Sequence, residues 1–113
     1  MPQIFFKHHF HQAIRDGSKR TTIRRWSRPM VRAGDRAFVP GFGWLSITAV
    51  DVIDLAHLAD DDARADGFAN AHDLRMFLAL LYPKSSTDGK SWYRVAFTCA
   101  ELIVKPSREG GPK

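Results

Sequence analysis

With 113 residues, 44% of them hydrophobic and including three Trp and eight Phe, the chain suits one folded domain and excludes an intrinsically disordered one. No run approaches ~18 consecutive apolar residues, which excludes a membrane-spanning helix, and a single cysteine, Cys99, excludes an internal disulfide and a multi-cysteine metal site. The formal charge of +5 divides unevenly: residues 1–36 hold nine Lys/Arg against Asp16 and Asp35, whereas residues 51–73 hold seven Asp against Arg64.

Gln3 to Phe6 suits a short first strand. Phe6, Phe10, Ala13 and Ile14 then recur at helical spacing, and Gly17 stands where a helix takes a left-handed C-terminal residue. Thr21 to Arg25 alternates as a strand that ends at Arg28-Pro29. Ala33-Gly34-Asp35 is a turn, and Arg36 to Pro40 is a strand with Ala37 and Val39 on one face and Phe38 on the other. Trp44 to Ile53 alternates as a long strand, with Trp44, Ser46, Thr48 and Val50 sharing one face. Leu55 to Ala65 turns helical and breaks at Asp66-Gly67-Phe68. A second helix follows from Asn70 to Leu81, with Ala71, Leu74, Phe77, Leu78 and Leu81 as its stripe and Asn70 as its cap. Tyr82-Pro83 stops it. After a polar loop, 84 to 90, the run from Trp92 to Val104 is a strand, and the apolar setting of Cys99 predicts a buried thiol. Residues 107–113 read as a frayed tail, leaving a single domain over 1–106. His8, His9 and His11 interrupt the only apolar start, so no signal-peptide pattern is present and a cytoplasmic protein is expected.

The stretch from Gly17 to Arg25 concentrates the chemistry. It sets a lysine, two threonines and three arginines directly after a turn glycine. Strand parity puts Ile23 on a packed face, with Thr22 and Arg24 together on the other. Lys19 and Thr22 are three apart and converge only if Lys19 belongs to the turn and not to the strand. The same residues also suit a basic, solvated hairpin start. A basic lobe fits an anionic or nucleotide-like partner, although the two oppositely charged lobes suit docking on each other equally well.

The element order, together with Phe5-Phe6, the Gly-x-Lys-x-x-Thr-x-Arg pattern over Gly17 to Arg24, Ala33-Gly34-Asp35, Asp66-Gly67-Phe68, Leu81-Tyr82-Pro83 and Val95-x-Phe97, resembles the ASCH domain of the PUA-like superfamily. That resemblance covers Phe5 to about Leu102. It implies an α+β fold: a small mixed β-barrel with an N-terminal helix and two helices before the last strands. Within the family, the small bacterial amidohydrolases acting on N4-acetylcytidine look most similar. They imply a triad of lysine, threonine and carboxylate, which falls on Lys19, Thr22 and, with a one-residue gap, Asp66. Where the family has glutamate this chain has an aspartate, one methylene shorter, so either the helix sits closer or the acid does less.

In that frame Lys19, its pKa lowered by burial and neighbouring arginines, takes the proton of Thr22 as Oγ attacks the exocyclic amide. Backbone N–H groups of the Gly17–Arg20 turn are the expected oxyanion donors. Asp66 holds the amide edge and relays a proton to the leaving amine, and Arg24 binds the carbonyl of the base. Phe6, Trp44 and Tyr82 are the candidate stacking surfaces. A turn lysine is expected to contribute little packing.

The partner implied is a modified nucleoside or base, with no cofactor, no metal and no membrane. His8 and His11 lie at i, i+3, but no Cys or Glu joins them, and a partly exposed amphipathic helix is the better reading. Asp60, Asp61 and Asp62 point in different directions and are expected to be solvated. The reading from another class is an RNA-binding module, with or without ribonuclease activity, for which the basic lobe suffices and the Thr22 hydroxyl is not needed.

Overall fold

The structure, a computed structural model, describes residues 2–102; the last two residues of the expected terminal strand, the domain limit at 106 and the expected tail lie outside them. The first expected strand contracts to a single parallel bridge between Gln3 and Phe38, closed by Ile4 N to Phe38 O at 3.0 Å and Phe38 N to Pro2 O at 3.0 Å. A 3-10 turn over His8–Phe10 leads into α1 (His11–Asp16), which ends on Gly17 at φ 88°. That left-handed geometry is nearly free for glycine and strained for other residues.

Four strands follow: β1 (Thr21–Trp26), β2 (Arg36–Val39), β3 (Gly43–Ile53) and β4 (Ser91–Leu102), with α2 (Asp60–Ala65) and α3 (Ala71–Leu81) between the last two. They form one antiparallel sheet in the order β1-β4-β3-β2, curled into a half-barrel. The last strand in sequence is thus central, and β1 joins the sheet only through it.

Alternation on β1 and β4 gives the sheet two buried faces. On the inner face Val39, Leu45, Ile47, Val95 and Phe97 pack with Ile4 and Ile14. On the other, Ile23 packs beneath Leu58, Ala63, Ala71, Leu74 and Leu78 of the helical segment. The cap of α3 forms as the spacing predicts, with Asp73 N donating to Asn70 Oδ1 at 2.9 Å.

Two expectations fail for identifiable reasons. On β3, Ile47 stands opposite Phe97 and Ala49 opposite Ala96, so Thr48 is an extra residue that shifts the phase of the strand. Val50 therefore packs against the inner core instead of sharing a face with Trp44 and Ser46. Cys99 is exposed, not buried: it stands across from buried Leu45, yet it borders a surface cleft with Ile14, Arg15 and Arg20 that leaves the thiol uncovered.

Of the three acids expected to be solvated, Asp60 and Asp61 are exposed and Asp62 is half-buried, and each has a partner. Ala71 N donates to Asp60 Oδ1 at 2.9 Å, Arg64 pairs with Asp61, and Asp62 accepts from Ala59 N at 2.9 Å and from Arg94 at 3.1 Å. Among the described residues no helix is long and apolar enough to cross a membrane.

Candidate functional site

The site begins with the way residues 17–20 are tied down. Lys19 N donates back to Ala13 O at 2.9 Å, Arg20 N to Ala65 O at 2.6 Å, and Phe97 N to Arg20 O at 3.0 Å. The segment is thus bound to α1, to the end of α2 and to β4 before β1 begins at Thr21. Lys19 lies outside the strand and escapes its parity, so it shares a cavity of about 430 Å³ with Thr22. Phe6, Phe10, Arg24, Asp66 and Tyr82 also line this cavity.

Lys19 is 3% exposed, and its ammonium donates to Asp66 Oδ1 at 2.9 Å and to the Asp66 backbone carbonyl at 2.6 Å. The rings of Phe10, Phe6 and Phe68 surround it, with centroids 4.8, 5.9 and 5.9 Å from Nζ, a cation–π setting that favours the charged form. Burial acts against that charge and lowers the Lys19 pKa, Arg24 adding to the effect and Asp66 opposing it. Burial likewise raises Asp66, against the pull of Lys19, Thr21 and Arg24. The two shifts converge, so the proton between them is held less one-sidedly than in a surface ion pair.

The shorter acid reaches Lys19 because its backbone comes close. The bond from Arg20 N to Ala65 O draws the end of α2 onto the lysine segment. Gly67, at φ 96°, then turns the chain over the Lys19 stem, where a Cβ would lie 3.5 Å from Lys19 Cβ. The aspartate thus meets Lys19 Nζ directly despite the missing methylene.

On the neighbouring strand position, Arg24 Nε donates to Thr22 Oγ1 at 3.0 Å and Arg24 Nη2 to Phe5 O at 2.7 Å, while its guanidinium carbon sits 4.8 Å from the Phe6 ring centre. Thr22 is buried, and Arg24 is the partner of its hydroxyl. Burial pulls the Arg24 pKa down, with Tyr82 and Asp66 opposing.

Lys19, Thr22, Asp66, Arg24, Phe6 and Tyr82 thus line one cavity, and Trp44 does not. Trp44 packs on Phe38 at 5.1 Å and carries Arg36 over its ring at 5.0 Å. The expected oxyanion donors are also unsuitable. Gly17 N is bonded to Ile14 O and Ser18 N to Asp16 Oδ1, while Lys19 N and Arg20 N hold the carbonyls already named. Phe10 and Leu78, read from the sequence only as members of helical stripes, also line the cavity. His11 is 6% exposed, more buried than its helix pattern suggests, and its Nε2 has no hydrogen-bond partner. Among the described residues no group of three or more His, Cys, Asp or Glu is placed to hold a metal ion.

The curled antiparallel sheet, with α1 against one face and α2 and α3 against the other, has the fold of solved ASCH-domain structures. A protein of Enterococcus faecalis V583 described as a DUF984 member superposes with a TM-score of 0.70 at 15% identity, over 92% of this chain and 83% of that one. The ASCH domain of Lactobacillus crispatus JV V101 gives 0.58 at 16% identity over 78% and 68%, and a mutant ASCH protein of Zymomonas mobilis 0.61 at 16% over 88% and 68%. Identities this low establish the fold alone. No protein-family model and no curated protein matches the chain.

Proposed function

We propose that this chain is an amidohydrolase that cleaves the exocyclic amide of N4-acetylcytidine and related N4-acylcytosines, releasing cytidine or cytosine and a carboxylic acid. The observation that carries this reading is the meeting of a buried Lys19–Asp66 pair with a threonine hydroxyl and a guanidinium in one aromatic-lined cavity. At about 430 Å³ the cavity lies toward the lower end of the ~300–1,000 Å³ range of small-molecule sites.

In the proposed reaction neutral Lys19 takes the Thr22 proton as Oγ forms a bond to the acyl carbon. The oxyanion is held by the Arg24 guanidinium, because the turn amides are engaged elsewhere. The C–N bond then breaks, with the Lys19 proton passing to cytosine N4 and Asp66 stabilising the ammonium until transfer. Water, deprotonated by Lys19, attacks the acyl-threonine and restores the hydroxyl. Arg24 Nη1 makes none of the bonds described above and is the donor for the carbonyl of the base. Phe6 and Tyr82 offer the stacking faces. A reducing, cytoplasmic setting suits the unpaired and exposed Cys99.

The test is incubation with N4-acetylcytidine while following cytidine, with Thr22→Ala beside the wild type. Turnover should vanish in Thr22→Ala. The second reading, an RNA-binding module, draws on the exposed Arg15, Arg20, Arg28 and Arg32 of the basic lobe. Absence of wild-type turnover together with tight, salt-sensitive RNA binding would replace the amidohydrolase reading with that one.

A further inference from the structure

We propose that Thr21 is a positioning residue that fixes the Asp66 carboxylate against Lys19, a role distinct from that of the adjacent Thr22. The inference rests on the amidohydrolase reading for its kinetic consequences but not for its geometry. Thr21 Oγ1 donates to Asp66 Oδ2 at 3.0 Å, while Lys19 Nζ holds Oδ1 at 2.9 Å. Both oxygens of a carboxylate only 3% exposed therefore carry a donor. Thr22 lines the cavity, whereas Thr21 lies on the opposite face of β1 and does not. Of the two neighbouring hydroxyls, that of Thr21 is bonded to Asp66 and that of Thr22 to Arg24.

An aspartate has one bond fewer to steer with than a glutamate, and rotation about its Cα–Cβ bond would carry the carboxylate off Lys19. A second donor on the far oxygen blocks that rotation. It also favours the ionised form, partly offsetting the burial that favours the neutral one. Sequence alone hides this because donor and acceptor lie 45 positions apart.

The experiment compares Thr21→Val, which keeps the β-branched shape and deletes the donor, with Thr21→Ser, which restores it. The Asp66 carboxyl carbon is titrated by NMR, and N4-acetylcytidine hydrolysis is measured in parallel. In Thr21→Val the Asp66 titration should move upward by about one pH unit. At the same time kcat should fall about tenfold with KM within about twofold of wild type. Thr21→Ser should return both readouts most of the way. An Asp66 titration in Thr21→Val that coincides with wild type overturns the proposal, as does a serine variant no better than valine. If the wild type does not hydrolyse N4-acetylcytidine, the functional reading fails and the titration alone decides the role of Thr21.

Discussion

Lys19 is held by two opposing demands, since burial and Arg24 resist its charge while Asp66 and three phenyl rings support it. The sequence reading of a turn lysine that packs little does not survive this environment. Whether a lysine is buried depends on its partner, and this one lies 47 positions away. Lys19→Met should therefore do more than remove a base. It leaves Asp66 buried with one charged partner gone, which typically costs about 3–5 kcal/mol, readable as a lower urea midpoint at unchanged slope. The sign with pH follows from Asp66. Its native pKa is raised above 3.8, so the native state binds more protons than the unfolded one between that value and the raised one. Without Lys19 the elevation grows, and Lys19→Met should be more stable at about pH 5 than at about pH 8. As the proposed base, Lys19 must be neutral to act in the wild type, and its pKa lies below the ordinary 10.5. On that basis kcat/KM should rise with pH along a limb whose midpoint falls below 10.5. A midpoint at or above the ordinary lysine value would remove Lys19 from the role of base.

Among the elements, α3 was the most legible, because its stripe and its cap are local. Asn70 meets Asp73 three residues on, and Leu74 and Leu78 fall on the buried face. The extra residue at Thr48 was not legible. A bulge shifts the phase of a strand without any mark in composition, and alternation carried past it put Val50 on the wrong face. The end of α2 lies between these cases. Asp66-Gly67 announces a break, but its docking on Lys19 depends on the long-range bond from Arg20 N to Ala65 O. This makes Gly67 a test of the element junction. A Cβ there would meet the Lys19 stem only at ordinary contact distance, so the cost of Gly67→Ala comes from φ 96°. That cost should be about 1 kcal/mol or somewhat more in chemical denaturation. Because the chain would relax by moving the Asp66 carbonyl off Nζ, activity should fall further than a stability change of that size explains. Loss of stability with full activity would show that this carbonyl does not matter to the site.

Across the whole molecule, the two charged lobes meet at the site and nowhere else among the bonds described here: Lys19 from the basic stretch pairs with Asp66 from the acidic one. The remaining acids of α2 are taken up by Ala71 N, Arg64 and Arg94, while Arg15, Arg20, Arg28 and Arg32 stay exposed. The two proposed modes of recognition would differ in their response to salt. A nucleoside in the cavity would be held by stacking and a few buried hydrogen bonds, which ions screen weakly. RNA on the exposed arginines would be held by phosphate contacts, and its affinity would fall linearly with salt on logarithmic axes. Thr22→Ala separates the two, because it should bind N4-acetylcytidine without consuming it. At about 100 times Kd the nucleoside should stabilise this variant by about 2.7 kcal/mol, seen as a ligand-dependent rise in melting temperature. That rise should change little between low and high salt. A rise produced by single-stranded RNA but not by the nucleoside, and erased by salt, would assign recognition to the exposed arginines and leave the cavity without its proposed substrate.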